Sequence, residues 1–198
     1  MTTDLEVFNR VKNHLLTQNE KSETTYSGCS YFYIPDLDIE EIEQEAMRNS
    51  INTEDCHETF KLYYKDAIAS HIENKTGPVL SCAVGCLIDY KFYDYEAEGK
   101  SANSDYVLDM IKPSLPDWEI GNDQIMMLRV LQNIHDGFEP EEWRDMFDLM
   151  EKDNLFNEHE EFHLGADKYN PEESSDPASY YPNQVYMRLI TRGDEDAI

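Results

Sequence analysis

Apolar positions recur at helical spacing along most of the chain and alternate at strand spacing only briefly. Over residues 4–19, Leu5, Phe8, Val11, Leu15 and Leu16 share one face, and Thr2 or Thr3 stands where a cap belongs, so an amphipathic helix is expected. Residues 26–34 (YSGCSYFYI) are Tyr-rich after a Ser-Gly break and predict a short strand that Pro35 stops. Residues 37–48 carry Leu37, Ile39, Ile42 and Met47 as a narrow apolar side. From Thr53 or Glu54 to residue 73, Phe60, Tyr63, Tyr64, Ala67, Ile68, His71 and Ile72 make a broad one, so two helices are expected before Gly77-Pro78.

The run at 79–88 (VLSCAVGCLI) is apolar throughout and predicts burial without choosing between helix and strand. A polar loop with Gly99 leads to residues 106–111, and Pro113 and Pro116 mark a turn. Residues 123–135 predict a helix capped by Asp123, with Ile125, Met126, Leu128, Leu131 and Ile134 inward. Another opens at Glu139-Pro140, with Pro140 in its first turn, and buries Trp143, Met146, Phe147, Leu149 and Met150. Pro171, Pro177 and Pro182 mark residues 165–183 as loop, and 184–191 (QVYMRLIT) read as a closing strand. The expected fold is α+β and predominantly helical, a compact single domain with one or two short sheets. Residues 1–165 form its body, 36–78 an acidic helical insertion, and 166–198 a loop plus strand packed on the same domain.

Composition supports a packed core. Of 198 residues, 40% are hydrophobic and 12% aromatic, which excludes a disordered acidic tail. No run of about 18 apolar residues occurs, so no membrane span is expected. The N-terminal residues lack the basic, apolar and small-residue pattern of a secretory signal, so a cytoplasmic location is expected. In that setting Cys29, Cys56, Cys82 and Cys86 read as reduced thiols or metal ligands rather than a disulfide frame.

Charge changes the picture most. The formal net charge is −26, and it is uneven. Residues 36–60 hold nine acidic and one basic residue, and 139–165 hold ten and two, whereas 1–35 hold four and three. Such fields repel phosphate backbones and favour encounter with basic partners. The candidate partner-binding residues are therefore Asp36, Asp38, Glu40, Glu41, Glu43 and Glu45 in the first block. In the second they are Glu139, Glu141, Glu142, Asp145, Asp148 and Glu151.

One motif carries chemistry. His159-Glu160-Glu161-Phe162-His163 is a literal H-E-x-x-H, which on a helix sets two imidazoles one turn apart for zinc, with Glu160 to activate the metal-bound water. Glu172 or Glu173 is the nearest third ligand. Against this, Glu161 places a charge inside the motif, Ala166 stands where the longer protease motif has Gly, and no third His follows. A second metal-like set is Cys82 and Cys86, four apart, with Cys29 and His135, although thiols in so apolar a run are more often plain core. There is no G-x-S-x-G, Walker loop or G-x-G-x-x-G.

In order along the chain stand the first helix running into HLLTQNEKS (14–22), Cys29-Ser30-Tyr31, CAVGCLI (82–88), Tyr93 through Glu98-Gly99, LRVLQNIHD (128–136) and PEEW (140–143). This series resembles a family of small proteins encoded by tailed phages and prophages. Residues 36–78 depart from the pattern, separating the Cys-x-Tyr segment from CAVGCLI, and 165–198 look added. The resemblance implies phage origin and supplies no mechanism for particular residues. The expected function is non-enzymatic: no catalytic residue and no cofactor, and a partner that is a host protein with a basic surface. Nucleic-acid mimicry against a host defence or nucleic-acid-processing factor is one form of this. The alternatives are a zinc-dependent hydrolase built on Glu160, and acidity that serves solubility alone.

Overall fold

Thr3 and Glu6 close a capping box: the Glu6 amide donates to the Thr3 hydroxyl at 3.2 Å, and the Thr3 amide to the Glu6 carboxylate at 3.0 Å. Helix α1 (Asp4–Gln18) follows, in a computed structural model that describes residues 1–24, 28–35, 37–165, 168 and 175–195. Asn19 ends α1 in the left-handed conformation that Asn tolerates, its amide bonding the Leu15 carbonyl at 2.8 Å. Val7, Phe8, Val11 and Leu15 are buried where α1 packs against α5 (Asn122–Gly137) and α6 (Pro140–Lys152).

Strand content is small. β1 (Glu23–Thr24) pairs antiparallel with β2 (Gly28–Cys29), and isolated bridges join Tyr33 to Leu80 and Phe156 to Phe162. Of the strand expected over 26–34, Tyr26 and Ser27 lie outside the described residues. Beyond β2 the Ser30 amide makes one more bond, to the Ser22 carbonyl at 2.7 Å, and the chain then turns so that the Tyr31 amide meets the Glu98 carboxylate at 3.1 Å. The 79–88 run is neither helix nor strand. After the Leu80 bridge it tightens into a 3₁₀ turn (Gly85–Leu87), and two more follow at Tyr90–Phe92 and Tyr95–Ala97.

Residues 36–78 hold an antiparallel pair, α2 (Ile39–Asn49) and α3 (Thr53–Asn74). Phe60, Tyr64 and Ile68 bury the inner side of α3 on the 3₁₀ turns, where the Phe60 and Tyr64 rings meet Tyr95 edge-on at 5.1 and 5.2 Å. The Tyr64 hydroxyl donates to the Phe32 carbonyl at 2.9 Å, tying the hairpin to the body. α4 (Asp105–Ser114) contains Pro113 in its last turn, so the turn begins later than Pro113 suggests. The cap of α5 is Gly121 rather than Asp123, its amide donating to the Gln124 side chain at 2.9 Å.

The expected C-terminal strand is instead α7 (Pro177–Glu195). The Asp176 side chain receives the Ala178 amide at 3.3 Å and the Ser179 hydroxyl at 2.8 Å, and Pro177 takes the first helical position, where no amide partner is needed. Ala178, Tyr181 and Val185 bury one face on α5 and α6 at helical spacing, and this packing overrides the β-branched composition of the segment. Pro182 sits within α7 and cannot donate to the Ala178 carbonyl. Asn133 Nδ2 of α5 donates to it instead, at 2.9 Å. Among the described residues no helix is long and apolar enough to cross a membrane.

Candidate functional site

The H-E-x-x-H segment is not helical. α6 ends at Lys152, Asn154 turns left-handed, and residues 155–163 fold back as a tight loop closed by the Phe156–Phe162 bridge. The Asn157 side chain organises the loop, accepting the amides of His159 at 2.8 Å and Glu161 at 3.0 Å. Glu160 adopts φ +61°, so the one-turn spacing that would set His159 and His163 side by side is absent. All three side chains are exposed. Glu160 faces α1: its carboxylate accepts the Thr3 hydroxyl at 2.9 Å and its carbonyl the Leu5 amide at 3.2 Å. An anion there suits the positive end of a helix. Beside it the Asp4 carboxylate accepts the Trp118 indole at 2.7 Å, the Gln124 amide group at 2.8 Å and the Phe162 amide at 2.8 Å.

The Cys and His residues of the second metal-like set also have other work. The His135 ring is fully buried, stacked on Trp143 with centroids 5.5 Å apart. Its Nε2 accepts the Ser22 amide at 3.2 Å, so the proton sits on Nδ1 and is donated to Asp136 at 2.8 Å. Cys82 Sγ accepts the Gly85 amide, and Cys86 Sγ donates to the Ala83 carbonyl. Burial pushes the Cys86 thiol above its ordinary range. Among the described residues, no group of three or more His, Cys, Asp or Glu side chains is arranged to hold a metal. Glu172, Glu173 and the side chain of Cys29 lie outside the described residues.

The segments Cys29-Ser30-Tyr31, CAVGCLI (82–88) and Glu98-Gly99 meet inside the fold. A Cβ on Gly85 would stand 2.1 Å from the Tyr31 carbonyl oxygen, so CAVGCLI passes Cys-Ser-Tyr at a distance only glycine permits. Glu98 binds the same turn: its carboxylate accepts the Ser30 hydroxyl at 2.9 Å, the Tyr31 amide at 3.1 Å and the Tyr93 hydroxyl at 2.7 Å. Burial pushes the Glu98 carboxyl above its ordinary value, and these donors hold it back. Gly99 follows at φ +72°, a conformation that favours glycine. The arrangement is a brace for the fold.

Beside it lies a polar cleft of about 350 Å³ between residues 99–102, α5 and the start of α7. Arg129 of α5 pairs across it with Asp176 at 2.9 Å, while Asp136 accepts His135 and Gln132 of its own helix.

The acidic candidates divide by what they touch. On α6 and its cap, Asp148 and Glu151 pair with Lys12 at 3.3 and 2.7 Å, and Glu139 with Lys21 at 3.4 Å. Glu142 accepts the Glu139 amide, which leaves Glu141 and Asp145 outward. On the other block Asp38 caps α2 by accepting the Glu41 amide at 2.9 Å. Among the described residues no cation pairs with Glu40, Glu41, Glu43 or Glu45, all exposed on α2. Asp36 lies outside the described residues. α2 packs on α3 whereas α6 packs on α1, α5 and α7, so the two blocks are carried by different parts of the fold.

The contacts that Asp4, Glu98 and Asn133 make are not legible in the sequence pattern. A buried acid reads as surface in an acidic chain, and only Glu98's place before a glycine hinted otherwise. No family model, no curated protein and no solved structure matches this chain.

Proposed function

We propose that this is a phage-encoded, non-enzymatic interaction protein that engages a basic surface of a host protein, chiefly through the carboxylates of α2. The observation that carries this reading is the exposed row Glu40, Glu41, Glu43 and Glu45 with no cation paired to it among the described residues. Elsewhere several cations are drawn into pairs with neighbouring acids, among them Lys12, Lys21, Lys61, Arg129 and Arg188. The exposed carboxylates of α2 present a negative field that can steer a basic partner.

Nucleic-acid mimicry is the narrower form of the proposal, and spacing bears on it. Glu141, Asp145, Asp148 and Glu151 span about 15 Å of α6, one charge per roughly 5 Å. A duplex strand carries one per about 3.4 Å, and Lys12 already neutralises part of the α6 row. The four glutamates of α2 fall within six residues, one charge per roughly 2.5 Å of axis. α2 is thus the closer imitation.

The test is capture from host lysate at about 50 mM and about 500 mM salt, with duplex DNA as competitor. A basic protein retained at low salt, released at high salt and displaced by DNA supports mimicry. Retention that DNA leaves unchanged supports a basic protein surface only. Capture that ignores salt sinks the proposal.

A further inference from the structure

The loop between α2 and α3 is built to present an apolar side chain. Ile51 is 95% exposed and Met47 64%, and both line one groove of about 440 Å³ with Ser50, Asn52, Thr53 and Cys56. This loop is not slack. The Ile51 amide donates to Asp55 at 2.8 Å, the Asp55 amide to the Asn52 side chain at 2.9 Å, and the Ser50 hydroxyl to the Ala46 carbonyl at 2.6 Å. Backbone order at the tip is already in place before anything binds, which removes part of the usual entropic cost of association.

The groove is rimmed by acid. On α2, Glu43 and Glu40 lie one and two turns before Met47, so they share its side of the helix and are exposed with it. On α3, Glu54 and Glu58 are exposed in the first turns. The nearby cations are Arg48 and Lys61, and Lys61 is held by Glu58 and by Glu96 at 3.1 Å. Charged rims select partners while a desolvated apolar centre supplies most of the affinity.

We infer that the α2–α3 tip is the anchor of the interaction surface, and that its occupant is a basic amphipathic segment of a partner protein, with an aliphatic side chain seated against Ile51 and Met47 and flanking Lys or Arg meeting Glu40, Glu43 and Glu54. This rests on the reading of α2 as a partner-binding surface and adds where the partner seats. Charge complementarity selects this occupant: an acidic amphipathic segment would meet the like charge of Glu40, Glu43 and Glu54, and an all-polar basic segment would leave the groove unfilled.

The test uses three synthetic peptides of equal length: a Lys/Leu amphipathic sequence, an all-Lys sequence matched to it in charge, and a Glu/Leu sequence. Binding to the full chain is followed by fluorescence anisotropy at low salt, and by protection of Cys56 from alkylation, read by peptide mapping. The Lys/Leu peptide is expected to bind most tightly and to protect Cys56. Ile51→Ser should weaken it by about tenfold, to the level of the all-Lys peptide, whose own binding should not change. Because Ile51 is so exposed, this variant keeps the fold, which near-ultraviolet circular dichroism verifies. Equal binding of the two basic peptides, unaffected by Ile51→Ser, overturns the tip anchor while leaving the acidic surface intact. Equal binding of the Glu/Leu peptide overturns the charge selection. If neither basic peptide binds at low salt, the anchor and the acidic-surface reading both fall.

Discussion

The Glu160 carboxylate accepts the Thr3 hydroxyl at 2.9 Å, clasping the loop after α6 to the start of α1. The residue that an H-E-x-x-H reading would make the general base serves here as a positioning contact for a helix terminus. Glu160→Ala should lower stability by about 1 kcal/mol, since a surface hydrogen bond and a dipole interaction are lost together. A metal site predicts something else: zinc would raise the melting temperature, and His159→Ala with His163→Ala would abolish that rise. Thermal unfolding of these variants with and without zinc separates the two.

Gly85 is the tightest point of the core, because a methyl there would meet the Tyr31 carbonyl oxygen at 2.1 Å. Backbone cannot yield as a side-chain tip can, so Gly85→Ala should cost more than about 3 kcal/mol or prevent folding. At Gly99 no atom lies within 4 Å of the added carbon, and only the left-handed strain remains. Gly99→Ala should therefore cost about 1 kcal/mol. Comparable losses in chemical denaturation would contradict this ranking.

Asn133 and Pro182 act as a pair across α5 and α7. Asn133→Ala orphans the Ala178 carbonyl and should cost about 1–2 kcal/mol. In a Pro182→Ala background residue 182 gains an amide that can bond that carbonyl, so the same substitution should cost clearly less. An additive double-mutant cycle would show that the two are unrelated.

His14 gives the chain a pH dependence. Burial, the largest influence, lowers the imidazole below its ordinary 6.5, while the Ser81 carbonyl 3.0 Å away pulls it back up. The folded state thus binds the proton less tightly than the unfolded one. Above about pH 6.5 both are neutral and His14 contributes nothing to the slope. As pH falls below 6.5, the unfolded chain protonates first and stability declines until the folded pKa is passed. Urea midpoints measured through this window should fall in the wild type and flatten in His14→Gln; equal slopes would contradict the assignment.

The helices with broad apolar stripes were legible. α1, α3, α5 and α6 lie within a residue or two of where periodicity puts them, because side chains such as Phe60, Tyr64 and Ile68 repeat on one face regardless of context. α7 was missed because Pro171, Pro177 and Pro182 look like loop punctuation, although Ala178, Tyr181 and Val185 already carry the helical period. What makes Pro182 tolerable is Asn133, 49 positions away, and no local reading reaches that far. The loop at 155–163 was illegible for a related reason: its left-handed Glu160 is held by contacts with Thr3 and Leu5, and Phe162 by Asp4. Of the candidate site, the acidity was visible in the sequence. Its division into a row partly neutralised by Lys12 and a row on α2 with no cation paired to it among the described residues depends on tertiary structure alone.

That division is what the functional account stands on. The most direct measurement compares capture of basic host protein by the wild type and by two variants, one with Glu40, Glu41, Glu43 and Glu45 all changed to Gln, the other with Glu141→Gln and Asp145→Asn. The account predicts that the α2 variant loses the salt-sensitive partner while the α6 variant keeps most of it. A partner retained undiminished by the α2 variant would contradict it.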